Sequence, residues 1–227
     1  MKNTFDANKL TEQQFLEQYS AEQYEKPSVA VDLVLFTIDG DTLKCALIKR
    51  NEHPCKDMLS LPGVFVGIDE SLDDAVRRGI KTKAGLNDIY FEQLYTFGDV
   101  HRDPRMRIIS VAYIALVPIE KLQTTASLYS YGEILETDLA FDHKRIIEYA
   151  RERIKNKANY SDIAFKFLPE EFTLPQLQKI YEILLDKELY KANFRKKTEP
   201  YIEDTGKMTS GGAHRPSKLY RRNEVII

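Results

Sequence analysis

The stretch Leu61–Leu86, LPGVFVGIDESLDDAVRRGIKTKAGL, decides how this chain is read. It opens inside an apolar run, Leu59–Val66, that has the length and turn boundaries of a strand. Ser71 to Lys83 reads as a helix, and Gly85 stands where a C-cap glycine is expected. Gly67 serves the bend between the two, and Glu70 with Arg78 can form an internal ion pair that orients the loop. Before this stretch, Val29–Ile38 (VAVDLVLFTI) is a strand closed by the turn Asp39-Gly40-Asp41. Its partner is Thr42–Lys49, in which Leu43, Cys45 and Leu47 alternate with other residues. After it come the strands Ile89–Phe97 and Ile108–Val117, separated by the charged loop His101–Arg107. Strands dispersed around one central helix predict an α+β fold with a mixed sheet.

Anchored on Gly85-Leu86, the stretch resembles the Nudix hydrolase signature G-x5-E-x7-R-E-U-x-E-E-x-G-U, where U is aliphatic. Glu70, Arg78 and Ile80 match it. Gly79, Thr82 and Lys83 stand where three glutamates belong, and Val64 replaces the opening glycine. Such enzymes hold Mg²⁺ against a diphosphate through hard carboxylate oxygens. Without those ligands, and with Lys83 placing a positive charge where the cation would sit, the expectation is a chain that is not an enzyme and holds no metal or cofactor.

A length of 227 residues favours two compact units. Hydrophobic residues at 43% and charged residues at 30% describe an ordinary soluble protein. The start MKNTFDANKLTEQQ is too polar for a signal peptide, and no apolar run reaches the length of a membrane span. Cys45 and Cys55 lack metal-site spacing and point to a reducing cytoplasm. In the polar extension 1–28, Thr11 and Gln14 can form a capping box. The net charge of −2 is uneven: from Lys187 onward ten Lys/Arg face five Asp/Glu, so the end of the chain is basic. That suits a polyanion partner.

The basic end has a pattern of its own. A helix around Ile146, Ile147, Tyr149 and Ala150 follows Asp142-His143, where Asp142 suits capping and no nucleophile is in view. A short helix Asp162–Phe167 comes next. Thr173 then caps a helix through Gln176, with Leu177, Ile180, Tyr181 and Leu184 on one face. Lys191–Thr198 (KANFRKKT) forms a second helix anchored by Phe194. Beyond it, a Gly206 turn, Ser210-Gly211-Gly212 and a return strand Ser217–Tyr220 complete a winged helix-turn-helix. The second helix of such a module enters the major groove. Lys191, Asn193, Arg195, Lys196 and Lys197 on this helix, with His214, Arg215 and Lys218 on the wing, are the expected DNA contacts. Arg195 is the candidate base reader, because its fork can pair with guanine.

The series FTLPQLQ, YE, NFRKK and HRPSKLY, together with AFDH and the degenerate box, resembles the NrtR group of Nudix-related transcriptional regulators. It is also similar to the AraR-type arabinose regulators, which share this architecture. The resemblance implies a Nudix-like mixed-sheet sandwich over 1–155, including the extension 1–28, and a winged helix over 156–227. It further implies a homodimeric repressor binding a palindromic double-stranded DNA operator under control of a small effector. The missing metal ligands tilt the effector reading toward a sugar such as L-arabinose and sugar utilisation. The alternative is ADP-ribose and NAD metabolism, with an active ADP-ribose pyrophosphatase as a further alternative. Asp32, Lys49, Arg50, Asp99, His101 and Arg102 are the candidate effector contacts. The segment from His101 is equally readable as a plain charged loop.

Overall fold

The computed structural model describes residues 10–87, 89–122, 126–210 and 216–223. Its centre is β1 (Ser28–Asp39), paired in parallel with β6 (Ile108–Leu116) from Ser28↔Ile108 to Phe36↔Leu116. β2 (Thr42–Lys49) pairs antiparallel with the second half of β1 through the Gly40 turn, where φ is +58°. β5 (Tyr90–Phe97) pairs antiparallel with β6 on its outer side. With neighbours on both edges and cover on both faces, β1 must be apolar nearly throughout, which explains its unbroken hydrophobic run.

Side chains alternate across β1. Val31, Leu33 and Leu35 pack with Ala75, Val76 and Ile80 of α2 (Leu72–Ala84). Val34 and Phe36 pack on the opposite face with Ile146, Ile147 and Ala150 of α4 (His143–Lys157). The result is a sheet between helices. Cys45 belongs to the second face as a small buried residue, and burial pushes its thiol pKa up.

Most expected boundaries agree within a residue or two, but the expected strand Leu59–Val66 is two strands. β3 (Leu59–Ser60) pairs with β2, while β4 (Gly63–Phe65) pairs with the first half of β1. Pro62 lacks an N–H and cannot continue a ladder. Its carbonyl accepts from Leu33 N at 2.8 Å, and Leu61 N–H turns away to a side chain. Between Pro118 and Ala140, where no element is expected, β7 (Ser127–Ser130) extends the sheet beside β2 and leads into α3 (Tyr131–Leu135). The sequence does carry a signal there: Ser130 and Glu133 form a capping box.

α2 begins at a Ser71–Asp74 capping box and ends at Gly85 with φ +67°. Glu70 and Arg78 brace the loop as expected. Arg78 Nη2 donates to Glu70 Oε1 at 2.5 Å and to the Phe65 carbonyl at 2.8 Å, and Gly67 N donates to Glu70 Oε1 at 2.7 Å. α1 (Glu12–Gln18) has the predicted Thr11 capping box and no buried residue.

The second module follows α4. Ile163–Phe167 is a 3₁₀ helix, where the sequence suggests an ordinary one. α5 (Leu174–Leu185) carries the Thr173–Gln176 capping box, and α6 (Lys191–Thr198) follows it. A ribbon of β8 (Ile202–Met208) and β9 (Lys218–Arg222) makes the wing, and Phe172 and Tyr220 exchange backbone hydrogen bonds to add a third short pairing. Polar as well as apolar contacts tie α5 to the first module. Arg151 of α4 donates to the Leu184 and Ile183 carbonyls at 2.8 and 3.1 Å, and Lys179 pairs with Asp41 at 3.1 Å. No helix among the described residues is long and apolar enough to cross a membrane.

Candidate functional site

Asp32 is the one charged residue in the buried run of β1, on the face turned toward the start of α4. It approaches so near to β4 that a Cβ on Gly63 would lie 2.7 Å from Asp32 Oδ1. Ser110 Oγ, on the neighbouring β6, donates to Asp32 Oδ2 at 2.5 Å, and Arg102 Nη2 donates to the same oxygen at 3.1 Å. Arg102 also grips Asp142 with both prongs of its fork, Nε to Oδ2 at 3.1 Å and Nη2 to Oδ1 at 2.7 Å. Its side chain is only 5% exposed. Burial opposes the charge of Arg102, but the carboxylates of Asp142 and Asp32 more than compensate and hold its pKa above the ordinary value.

His143 completes this centre. Leu61 N–H donates to its Nδ1 at 2.9 Å, which places the ring proton on Nε2, facing Asp32 Oδ1 at 3.7 Å. Burial pushes the His143 pKa down, against the pull of Asp32 and Asp142. The imidazole is therefore neutral near pH 7, and the Asp32 contact is that of a neutral ring.

Above this centre lies a cleft of about 230 Å³. Asp32, Arg50, Arg102, Asp103, Arg105, Phe141, His143 and Lys83 of α2 contribute to its walls. Arg50 lies 4.9 Å from the centre of the Phe141 ring and Arg105 lies 6.0 Å from it. Arg50 spends its Nε on the Pro54 carbonyl at 2.9 Å, whereas Arg105 pairs with Asp103 at 2.8 Å. The Arg105 hydrogen bonds hold the Asp103 pKa below its usual range. Phe141 itself has φ +55°, a left-handed conformation that an aromatic residue rarely adopts.

Of the six expected effector contacts, the structure brings three together here: Asp32, Arg50 and Arg102. Lys49 lies outside the cleft lining, pairing with Asp57 at 3.1 Å in solvent. Asp99 and His101 are also absent from the lining. Asp99 Oδ1 accepts from His101 N at 2.9 Å and its carbonyl accepts from Arg107 at 2.8 Å, so Asp99 organises the loop. Asp142 takes the N-cap position as expected, but it makes no capping bond, because Arg102 holds its carboxylate. The sequence reading places Asp103 in the charged loop beside the pocket and takes Asp142-His143 as a helix start; it passes over Arg105 and Phe141. FDH looks like ordinary capping until Arg102 is found beside it.

Two of the box positions are taken up by local packing and hydrogen bonding. Gly79 is buried, and a Cβ there would lie 3.0 Å from Leu33 Cδ1 and 3.4 Å from Val64 Cγ2. Thr82 turns its hydroxyl back to the Arg78 carbonyl at 2.8 Å. No group of three or more His, Cys, Asp or Glu arranged to hold a metal ion occurs among the described residues.

The second candidate surface is α6. Phe194 and Thr198 are its buried residues, and Phe194 meets Tyr181 of α5 edge to face at 5.5 Å. Lys191, Asn193, Arg195, Lys196 and Lys197 all face solvent, as the helix pattern predicts. The wing differs from expectation in its charge. Lys218 pairs with Asp204 at 2.6 Å and Arg221 with Glu203 at 2.9 Å, both in solvent-exposed ion pairs. Lys218 also lies within the electrostatic reach of Arg195, so wing and helix converge. His214 and Arg215 lie outside the described residues.

Comparison with known proteins adds two matches along the chain. A NUDIX domain model matches residues 26–150, and a model of the NrtR DNA-binding winged helix domain matches residues 164–222. The ADPR responsive transcriptional repressor NtrR of Acinetobacter baylyi is 35% identical over 224 residues, covering 94% of this chain and 89% of that protein. The crystal structure of Shewanella oneidensis NrtR complexed with a 27mer DNA superposes with a TM-score of 0.79 at 36% identity, covering 86% of this chain and 93% of that one. The NUDIX domain of the same protein complexed with ADP ribose gives a TM-score of 0.57 at 35% identity, covering 63% and 99%. These relatives favour the ADP-ribose alternative over the L-arabinose reading.

Proposed function

From the fact that the chain belongs to the family joining a Nudix domain to an NrtR DNA-binding winged helix domain, and is thus a DNA-binding transcriptional repressor, we propose that ADP-ribose is its effector. The Nudix domain binds ADP-ribose without hydrolysing it. The observation that carries this reading is the cleft beside the box: Arg50, Arg102, Arg105 and Lys83 line it, while Gly79, Thr82 and Lys83 stand in place of metal-binding carboxylates. Guanidinium forks can hold phosphate oxygens without a metal. That removes the physical reason for preferring a neutral sugar. Two copies of α6, brought to successive major-groove half-sites by a homodimer, would read a palindromic operator.

The test combines a thermal-shift screen with DNA binding. Operator DNA selected in vitro from a random pool is titrated by fluorescence anisotropy at fixed salt. ADP-ribose should raise the melting midpoint as RT ln(1 + [L]/Kd) and weaken operator binding, while L-arabinose does neither. Stabilisation by L-arabinose alone would overturn the effector assignment. Mg²⁺-dependent release of AMP from ADP-ribose would overturn the non-hydrolytic reading.

A further inference from the structure

Arg102 is engaged as an arginine engages a bound anion. Its Nε and Nη2 meet the two oxygens of Asp142 in the side-on fork that also fits a phosphate. The two carboxylates at this guanidinium are not equivalent. Asp32 is fixed within β1 by Ser110 and is 9% exposed, while Asp142 is 18% exposed and sits at a chain reversal. That reversal carries strain, because Phe141 holds a left-handed backbone against the two arginines stacked near its ring. Asp142 also gives up its usual work: it occupies the N-cap of α4 and caps nothing. The carboxylate is therefore a ligand of Arg102 carried on the N-cap residue of a helix.

Resting on the reading of this cleft as the effector site, we propose that Arg102 is the anion subsite for the effector's diphosphate and that Asp142 is its internal competitor. The Nε/Nη2 edge of Arg102 takes one bidentate anion, so a diphosphate and Asp142 compete for it while Asp32 keeps its single bond to Nη2. Binding of the effector on Arg102, with Arg50 and Arg105 as flanking cations, displaces Asp142 and frees the start of α4.

α4 then carries the displacement. Nine residues along the helix, about 13 Å away, Arg151 holds the last carbonyls of α5, Leu184 at 2.8 Å and Ile183 at 3.1 Å. α5 in turn packs on α6 through Tyr181 and Phe194. The exchange of anions on Arg102 is thereby linked to the placement of the DNA-reading helix, with the differential contact that such coupling requires.

The experiment uses the full chain. ADP-ribose affinity is measured by calorimetry, and operator affinity by anisotropy with and without ADP-ribose. Asp142→Asn should tighten ADP-ribose roughly three- to tenfold by weakening the competitor, and should shrink the factor by which ADP-ribose weakens operator binding. Asp142→Glu should return both toward wild type. Unchanged or weaker ADP-ribose affinity in Asp142→Asn overturns the exchange and leaves the effector reading standing. No binding of ADP-ribose to the wild type overturns the effector reading itself. Hydrogen exchange on the wild type gives a measurement that needs no variant: saturating ADP-ribose should speed exchange of the His143 and Ile146 amides, which bond to the Ala140 and Asp142 carbonyls. Unaltered or slower exchange there also overturns the proposal.

Discussion

Val64 lies directly over Gly79: a Cβ on the glycine would come within 3.4 Å of Val64 Cγ2, and within 3.0 Å of Leu33 Cδ1 beneath. The two departures from the hydrolase signature are thus complementary in size. The position that lost a carboxylate is now closed by the side chain that replaced a glycine. Gly79→Glu should lower the melting temperature, since overpacking of about 1–3 kcal/mol exceeds the roughly 1 kcal/mol that a helix gains on losing a glycine. Adding Thr82→Glu and Lys83→Glu should leave Mg²⁺-dependent AMP release from ADP-ribose at background. Activity returning with the three glutamates alone would show that the packed wall is no obstacle.

Gly63 allows the close approach of Asp32. Gly63→Ala drives a methyl group to 2.7 Å from Asp32 Oδ1, and that carboxylate is already held by Ser110 and Arg102. The expected cost is about 1–3 kcal/mol of unfolding free energy. Urea denaturation measures it, and a midpoint equal to wild type would show that Asp32 can move freely.

His143 sets a pH dependence whose sign follows from its lowered pKa. The unfolded chain binds a proton at the ordinary histidine value of about 6.5, while the folded chain resists it. Stability from this group is complete above about pH 6.5 and declines as pH falls through the lowered folded value. Denaturation at pH 7.5 and 5.5 should show the loss in wild type and a smaller loss in His143→Gln. Equal losses would show that His143 does not carry the dependence; Asp103, whose lowered pKa acts only at more acid pH, contributes nothing in this window.

Arg195 and Lys218 should separate in DNA binding. Arg195 faces solvent on α6 and has no ion pair among the described residues, while Lys218 is held by Asp204 at 2.6 Å. Arg195→Ala should weaken operator binding by about 1–3 kcal/mol and relax specificity at one base pair. Lys218→Ala should change affinity less and leave specificity intact. Anisotropy against operator variants distinguishes the two, and equal effects would return the wing to the interface as an active partner.

Most elements follow from a local signal, although the Ser130–Glu133 capping box that opens α3 goes unread. The capping boxes at Ser71 and Thr173, the apolar alternation of Thr42–Lys49 and the outward cations of Lys191–Thr198 all follow from spacing within a single element. β3 and β4 read as one strand despite Pro62 inside the run, and the contact that fixes the break lies 82 residues away, where His143 Nδ1 takes the Leu61 N–H. The cleft was half legible for the same reason. Asp32 stood out as a charge in an apolar strand, but Asp142 and His143 looked like an ordinary helix start. Their role depends on Arg102, 40 residues distant from Asp142, and no short-range pattern joins them.

One hydrophobic cluster runs from Phe36 and Ile114 in the sheet through Ile147 and Ile154 of α4 to Leu177, Leu184 and Phe194 of the winged helix. Pulling sensor and reader apart would expose apolar surface of this cluster on both modules. A tag, protease site or fusion point placed within α4 would strand apolar surface on both fragments. A graft of the winged helix onto another sensor would have to cover Leu177 and Leu184, the residues that meet this cluster.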